Sequence, residues 1–297
     1  MQNISVQHYL HLHFIVFIWG FTAVLGALIS IDAIPLVWYR ILLAVIFIFL
    51  FILLAKISLK TSIRMLIKFF VGGLIIALHW ITFFYAIKIS NVSITLATMS
   101  TGALFVTLLQ FLLFRTKIIA YEFIFSIFAI LGLILIFKTQ PQFTGGILYA
   151  LMSALLSAAF TILNSDLIKY NSAVKVSFYE LLFAVLLISV ILGIQGTFNT
   201  EFFELSTKDW MYLLLLSSVC TAYAFVASTS VLRSVSPFTM MLTINLEPIY
   251  GIILALIIFG QKEVMNSNFY IGAALIFFTV ILNGILKYKP ALFRIKT

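Results

Sequence analysis

Ten apolar runs of roughly 20 residues, joined by short links, leave this chain few ways to fold. They cover approximately 9–30, 36–55, 68–87, 92–114, 119–137, 145–165, 175–196, 211–232, 237–259 and 268–286. Hydrocarbon offers no partner to a backbone N–H or C=O, so a crossing segment must satisfy its own, as a helix or within a closed barrel. The runs are continuous and lack the ten-residue alternation of barrel strands, which selects helices. Only 9% of residues are charged and 64% are hydrophobic, whereas soluble domains carry about 25% charged residues. The fold class is an all-α polytopic membrane protein. The longest link, 197–210, holds Glu201, Glu204, Lys208 and Asp209 and is too short for an extramembrane domain.

The net charge of +9 reflects 18 Lys and Arg against 9 Asp and Glu. These cations sit in short loops, so they report membrane orientation and not nucleic acid. With both termini inside, the inner loops and tail hold 13 of them, including Lys56, Lys60, Arg64, Lys68, Arg115, Lys117, Lys169, Lys175, Arg233, Lys289, Arg294 and Lys296. The outer loops hold Lys88, Lys138, Lys208 and Lys262, and Arg40 lies within a span. This predicts a cytoplasmic (inner) membrane protein with both termini cytoplasmic. The first run lacks a basic leader and a small-residue exit, so it is expected to be a retained helix. The single cysteine, Cys220, falls within a span.

The chain repeats itself. Trp38-Tyr39-Arg40-Ile41-Leu42-Leu43-Ala44-Val45 aligns with Phe178-Tyr179-Glu180-Leu181-Leu182-Phe183-Ala184-Val185, identical at four of eight positions. Lys88 aligns with Arg233 and Phe114 with Phe259. Two halves, 1–143 and 144–297, then hold five spans each. An odd number turns the second half upside down relative to the first. Inverted repeats of this kind place a central site at their interface and let the halves rock about it.

The ninth run, 237–259, carries Asn245, Glu247 and Pro248 near its centre. A carboxylate at that depth costs on the order of 2.5 kcal/mol or more, and such groups face a bundle interior or a wet cavity. Pro248 has no N–H and frees the carbonyl of Ile244. Thr243, Tyr250 and Gly251 share the Glu247 stripe. Glu247 could bind an ammonium group or a proton, or make a structural bond to another helix. His79 and Trp80 in the third run lie at a similar depth, about 16 Å from Lys68 by helical rise. His79 is open between a proton relay with Glu247 and a bond to a backbone carbonyl, and Trp80 between core filling and ligand stacking.

In the fourth run Thr98, Ser100, Thr101 and Gly102 match Thr243 to Glu247, with Gly102 the counterpart of Glu247. They could line a cavity or allow close helix packing. Ser153, Ser157, Thr161 and Asn164 fall close to one face of the sixth run. Arg40 and Glu180 are repeat equivalents at opposite depths, so they cannot pair. Each is expected to snorkel to its interface as a gating or structural residue, with direct substrate contact as the alternative. Trp19-Gly20 suggests close packing in the first span.

These residues resemble the EamA type of the drug/metabolite transporter superfamily over nearly the whole length. The resemblance is carried by Trp19-Gly20, the Arg40 segment, Leu246-Glu247-Pro248, Phe259-Gly260 and Tyr270-Ile271-Gly272-Ala273-Ala274-Leu275-Ile276. It implies ten helices around a central cavity and export of amino acids or related small metabolites. The chain departs from the family at Gln261, where an acid is usual and Glu263 follows two places on. It departs also at Ala103, in place of a proline, and at Arg115-Thr116-Lys117.

The expected function is a secondary exporter working by alternating access, with or without proton coupling. The alternatives are a passive facilitator and an intramembrane enzyme. Neither H-E-x-x-H nor G-x-S-x-G occurs, and His8, His11 and His13 share no helical face. No G-x-x-x-x-G-K-[ST] loop is present to bind nucleotide. The expected partners are a small-molecule substrate, the lipid bilayer and protons, with no cofactor, metal or nucleic acid, in a monomer or a homodimer.

Overall fold

The computed structural model describes residues 6–115 and 120–288; Thr116, Lys117, Lys289, Arg294 and Lys296 lie outside the described residues. The first repeat comprises α1 (Val6–Leu28), α2 (Ala33–Leu54), α3 (Ile63–Ile89), a fourth span split into α4 (Val92–Met99) and α5 (Gly102–Phe114), and α6 (Ala120–Thr139). The second comprises α7 (Thr144–Leu167), α8 (Ala173–Ile194), a short surface helix α9 (Thr200–Phe203) and three further spans. In the eighth span a π-helical turn, Ser218–Tyr223, joins α10 (Thr207–Ser217) to α11 (Ala224–Val231). The ninth is split into α12 (Pro237–Ile244) and α13 (Glu247–Phe259), and α14 (Ser267–Tyr288) closes the chain. Among the described residues eight helical segments are long and apolar enough to cross a membrane, the shorter apolar helices Ile127–Thr139 and Ser267–Thr279 stand at the other two expected spans, and no strand occurs.

Local chemistry sets where the helices begin. The side chains of Ser62, Asn91, Ser172, Asn199, Ser206 and Ser236 each accept a backbone N–H three residues on. That cap satisfies one of the donors left free at a helix start. The Ser62 cap explains why α3 begins at Ile63, before the apolar run at 68: Arg64 and Lys68 occupy its first turns.

The fourth and ninth spans break at matching places. Each of α4 and α5 begins 145 residues before α12 and α13 respectively. At the first break the Thr101 N–H reaches the Thr98 carbonyl at 3.1 Å, and at the second the Leu246 N–H reaches Thr243 at 3.0 Å. Both are tightened, 3₁₀-like bonds. Pro248 sits in the first turn of α13, where a missing N–H is tolerated. The first repeat breaks at the same place without a proline, so the proline accompanies the break and does not alone cause it.

The two repeats run in opposite directions. In α2 and α8, Trp38 Nε1 donates to Ser189 Oγ at 2.7 Å, while the Phe49 and Phe178 rings stack at 5.8 Å. As one number rises its partner falls, so the pair is antiparallel. The α6–α14 pair behaves likewise. A Cβ on Gly132 would lie 2.9 Å from Ile276 Cγ1, and one on Gly272 would lie 2.9 Å from Ile136 Cγ1. Each of those added Cβ atoms would also lie 2.7 Å from the other glycine's carbonyl oxygen. The outward surface is apolar, with Leu54, Ile67, Phe114, Ile130, Ile257 and Phe278 exposed, as a lipid-facing belt requires.

Cross-repeat bonds gather the loops at two ends. At one end Lys175 Nζ donates to the Lys60 carbonyl, Tyr179 to Leu59 and Lys68 to Asp166. We call this the basic end, since Lys56, Lys60, Arg64, Lys68, Lys169, Lys175 and Arg233 lie in or near its loops. At the far end two buried carboxylates join the repeats. Asp209 accepts from the Ser30 N–H and Ser30 hydroxyl, both at 2.7 Å, and from the Ser206 hydroxyl at 2.6 Å. Glu263 accepts from the Val92 N–H at 3.0 Å and the Ser93 N–H at 2.8 Å, capping α4 from the other repeat. An anion at a helix start also complements the helix dipole.

Two outcomes are expected. Gly272→Leu should lower stability by about 1–3 kcal/mol, because the added side chain meets the Gly132 backbone; Gly272→Ala should act in the same direction and less. Thermal unfolding in detergent checks both. Glu263→Gln keeps one acceptor and loses the charge, so amide hydrogen exchange at Val92 and Ser93 should accelerate at least several-fold. Unchanged exchange there would show that Glu263 does not hold the far end.

Candidate functional site

A cavity of about 780 Å³, its open mouth included, lies between the repeats. The first repeat contributes Trp19 and Thr22 from α1, Arg40 from α2, Ile76, His79, Trp80 and Phe83 from α3, and Met99 from α4. The second contributes Ser157, Phe160, Thr161 and Asn164 from α7, Phe225, Ser228 and Thr229 from α11, Leu232 beyond it, and Met240, Ile244 and Glu247 from the ninth span.

The cavity opens towards the basic end. Leu232 follows the last residue of α11, and Asn164 lies three residues from the end of α7. A second, polar hollow lined by Lys169, Asn171, Ser172 and Arg233 shares Leu232 with it. Towards the far end, the lining stops at Phe83 and Arg40, six and seven residues short of the ends of their helices. Helical rise makes that a plug about 9–10 Å thick.

Glu247 opens α13 and is partly accessible to the cavity. Its carboxylate has no hydrogen bond to any described residue. The break below it makes this geometry possible, since α12 ends at Ile244 and both Ile244 and Glu247 reach the cavity.

Arg40 is 2% exposed, which corrects the expectation that it snorkels to the interface. Its Nε donates to Thr221 Oγ1 at 2.6 Å, and its guanidinium carbon sits 4.0 Å from the Trp80 ring centroid. Thr221 belongs to the π-helical turn and donates to the Leu216 carbonyl, five residues back, at 2.7 Å. The side chain therefore turns into the bundle because the π-turn supplies an acceptor and α3 an aromatic face. Snorkelling applies to side chains that face lipid. Neither Nη atom has a hydrogen-bond partner among the described residues, and Arg40 and Glu247 do not form an ion pair.

Glu180 is 0% exposed and also does not snorkel. It is pressed between α7 and α3, where a Cβ on Gly72 would lie 2.2 Å from its Oε1. Its Oε2 accepts from Asn164 Nδ2 at 3.2 Å. Glu180 thus stands behind the cavity wall and holds Asn164 in it. It does not pair with Arg40.

His79 lines the cavity, but Nδ1 is engaged by α7: it lies 3.0 Å from the Ser153 carbonyl and 2.8 Å from the Ser153 hydroxyl. The backbone-bonded arrangement is therefore present, and no His79–Glu247 pair forms among the described residues. The serine stripe of the sixth span is used as a unit. Ser153 holds His79, while Ser157, Thr161 and Asn164 reach the cavity.

The remaining candidates sit elsewhere. Thr243 and Thr101 donate their hydroxyls to the carbonyls of Thr239 and Thr98 in their own spans. Asn245 and Thr98 are buried outside the cavity lining, and Asn245 Nδ2 and Thr98 Oγ1 find no partner among the described residues. Gly102 lies under Met241. Pro248 is buried in the first turn of α13. Tyr250 packs against Phe17 and lies where a Cβ on Gly20 would come within 2.7 Å of its own. That close α1–α13 approach is the packing expected of Gly20, and it turns Trp19 to the cavity. Sequence reasoning missed Phe83, Phe160 and Phe225, whose apolar character gives no signal among 31 phenylalanines.

Comparison with known proteins agrees with this architecture. A crystal structure described only as that of a protein superposes with a TM-score of 0.68 at 13% identity, covering 94% of this chain and 98% of that one. At this identity the likeness concerns the fold alone. No curated protein matches the chain. The sequence pattern of the EamA-like transporter family matches residues 9–138 and again 144–285, once for each inverted repeat, and the chain belongs to that family of membrane transporters.

Proposed function

We propose that this transporter exports amino acids or related small metabolites from the cytoplasm by alternating access, with Glu247 as its proton- or ammonium-binding group. The observation that carries this reading is an unbonded carboxylate in a cavity between two inverted repeats, open at one end and plugged at the other. Two broken helices meet at that depth, as in other transporters built from inverted repeats. The basic end faces the cytoplasm by the positive-inside rule. The cavity is then loaded from inside, which suits export. The Asp209 and Glu263 contacts hold the opposite mouth shut and must part when the repeats rock. The same charge bias places both termini inside, and the proposed membrane is the cytoplasmic one.

The mixed lining narrows the cargo. Trp19, Trp80, Phe83, Phe160 and Phe225 supply apolar surface, and Glu247, Asn164, Thr22 and Thr229 supply polar contacts. An amino acid with an apolar side chain fits both.

In proteoliposomes carrying the wild type, a pH gradient should drive accumulation of labelled amino acid against its concentration gradient. Glu247→Gln should abolish the proton-driven component while the purified protein stays folded and monodisperse. Normal proton-driven flux in that variant would remove Glu247 from the mechanism. Dissipation of the substrate gradient alone, in the wild type, would make the protein a passive facilitator.

A further inference from the structure

We propose that Arg40 is the carboxylate anchor of the cavity, so that the cargo class is a small apolar carboxylate, with zwitterionic α-amino acids as members that also engage Glu247. This rests on the cavity being the transport site.

Arg40 is a cation held in one orientation with most of its hydrogen-bonding capacity unused. A guanidinium carries five N–H donors in a planar fork. Here Thr221 takes the Nε donor, and Trp80 covers one face at 4.0 Å, with the Phe84 ring centroid 5.4 Å away. Four N–H donors on Nη1 and Nη2 remain, and none meets a described residue. Burying a charge without a partner is costly, by several kcal/mol in real proteins. Nη1 is fully enclosed and without a partner, so a carboxylate would meet this fixed guanidinium through Nη2.

The repeat relationship supports the assignment. Arg40 and Glu180 descend from equivalent positions, yet Glu180 is bonded to Asn164 behind the wall and Arg40 lines the cavity itself. Arg40 and Glu247 act on each other electrostatically but form no ion pair among the described residues. One cavity therefore presents a cationic fork and a separate carboxylate. Phe83, Phe160, Phe225 and Trp80 leave an apolar body between or beside them. Two other roles are available to Arg40: a purely structural cation–π contact, and a counter-charge acting only on Glu247. Neither accounts for the Nη atoms being left without a hydrogen-bond partner.

The test uses ligands that keep the body and change the charge. Thermal unfolding of the full-length wild type in detergent is measured with L-phenylalanine, 3-phenylpropionate and phenethylamine. A second series of L-leucine, 4-methylpentanoate and isoamylamine repeats it. Apparent affinity should fall at least tenfold when the carboxylate is removed. Arg40→Gln should bring the amino acid down to the level of its amine, and Arg40→Lys should restore part of the difference. Thr221→Val, which removes the acceptor that orients Nε, should weaken only the carboxylate-bearing ligands. In Glu247→Gln the carboxylate-only compounds should still bind, which a mere counter-charge role would not predict.

Equal binding of amine and amino acid to the wild type would overturn the proposal, and needs no variant to fold. In that case, continued uphill flux of the amine would leave the transport reading intact. If no member of either series bound or moved, the anchor and the transport reading would fall together.

Discussion

The structure depends on one absence of chemistry: hydrocarbon cannot hydrogen-bond. Every span must be a helix, and every polar side chain within it must find a protein partner or face a cavity. Helices gain little from excluding lipid, since lipid is as apolar as they are, so contact has to come from close packing. Glycines provide it here. Gly20 brings α1 onto α13, Gly72 and Gly73 bring α3 onto α8, and Gly132 and Gly272 bring α6 onto α14. Each of these contacts joins one repeat to the other. The central cavity is what the two repeats leave open between contacts of this kind.

The same rule sorts the buried polar groups. Some are fully committed to structure, such as the Thr101 and Thr243 hydroxyls bonded along their own helices. Others are braced on one side and free on the other. His79 is tied through Nδ1 to Ser153, Asn164 is tied to Glu180, and Arg40 is tied to Thr221. These three line the cavity. Bracing fixes where the remaining polar atoms lie and reduces the ordering cost when a ligand meets them. Glu247 differs, for it has no brace among the described residues. A group of that kind is free to take a new partner, which suits the proton or ammonium site proposed above.

Much of the architecture was legible because it follows from length and pattern. Ten apolar runs, the alternation of basic loops and the 140-residue echo of Arg40 in Glu180 lead directly to inverted five-helix repeats. Part of the site was legible too: Glu247, His79, Trp80, Ser157 and Asn164 were named as binding candidates, and all line the cavity. The sequence could not show which side of a broken helix faces inward. Near the second break Glu247 reaches the cavity while Asn245 and Tyr250 do not, a matter of one or two residues of rotation. Nor could it show the π-helical turn, which has no composition of its own and yet decides that Arg40 points inward. The second glycine echo, Gly132 with Leu135-Ile136-Phe137 against Gly272 with Leu275-Ile276-Phe277, was present in the sequence. It marks the α6–α14 crossing and could have been found by extending the repeat comparison.

Asymmetry between the repeats is what turns a symmetric scaffold into a site. An exact pair of inverted repeats would present each polar group twice, once in each half. Two carboxylates or two guanidinium groups could not neutralise one another. Here each equivalent pair has been divided. Glu247 is the repeat equivalent of Gly102, and Arg40 of Glu180. Of the four positions, Glu247 and Arg40 alone line the cavity, and they carry opposite charges. The π-turn in the eighth span has no counterpart in the uninterrupted α3, and it is the element that holds Arg40 on the cavity side. The fold keeps the backbone symmetry, while the side chains abandon it where one cation and one anion line the cavity.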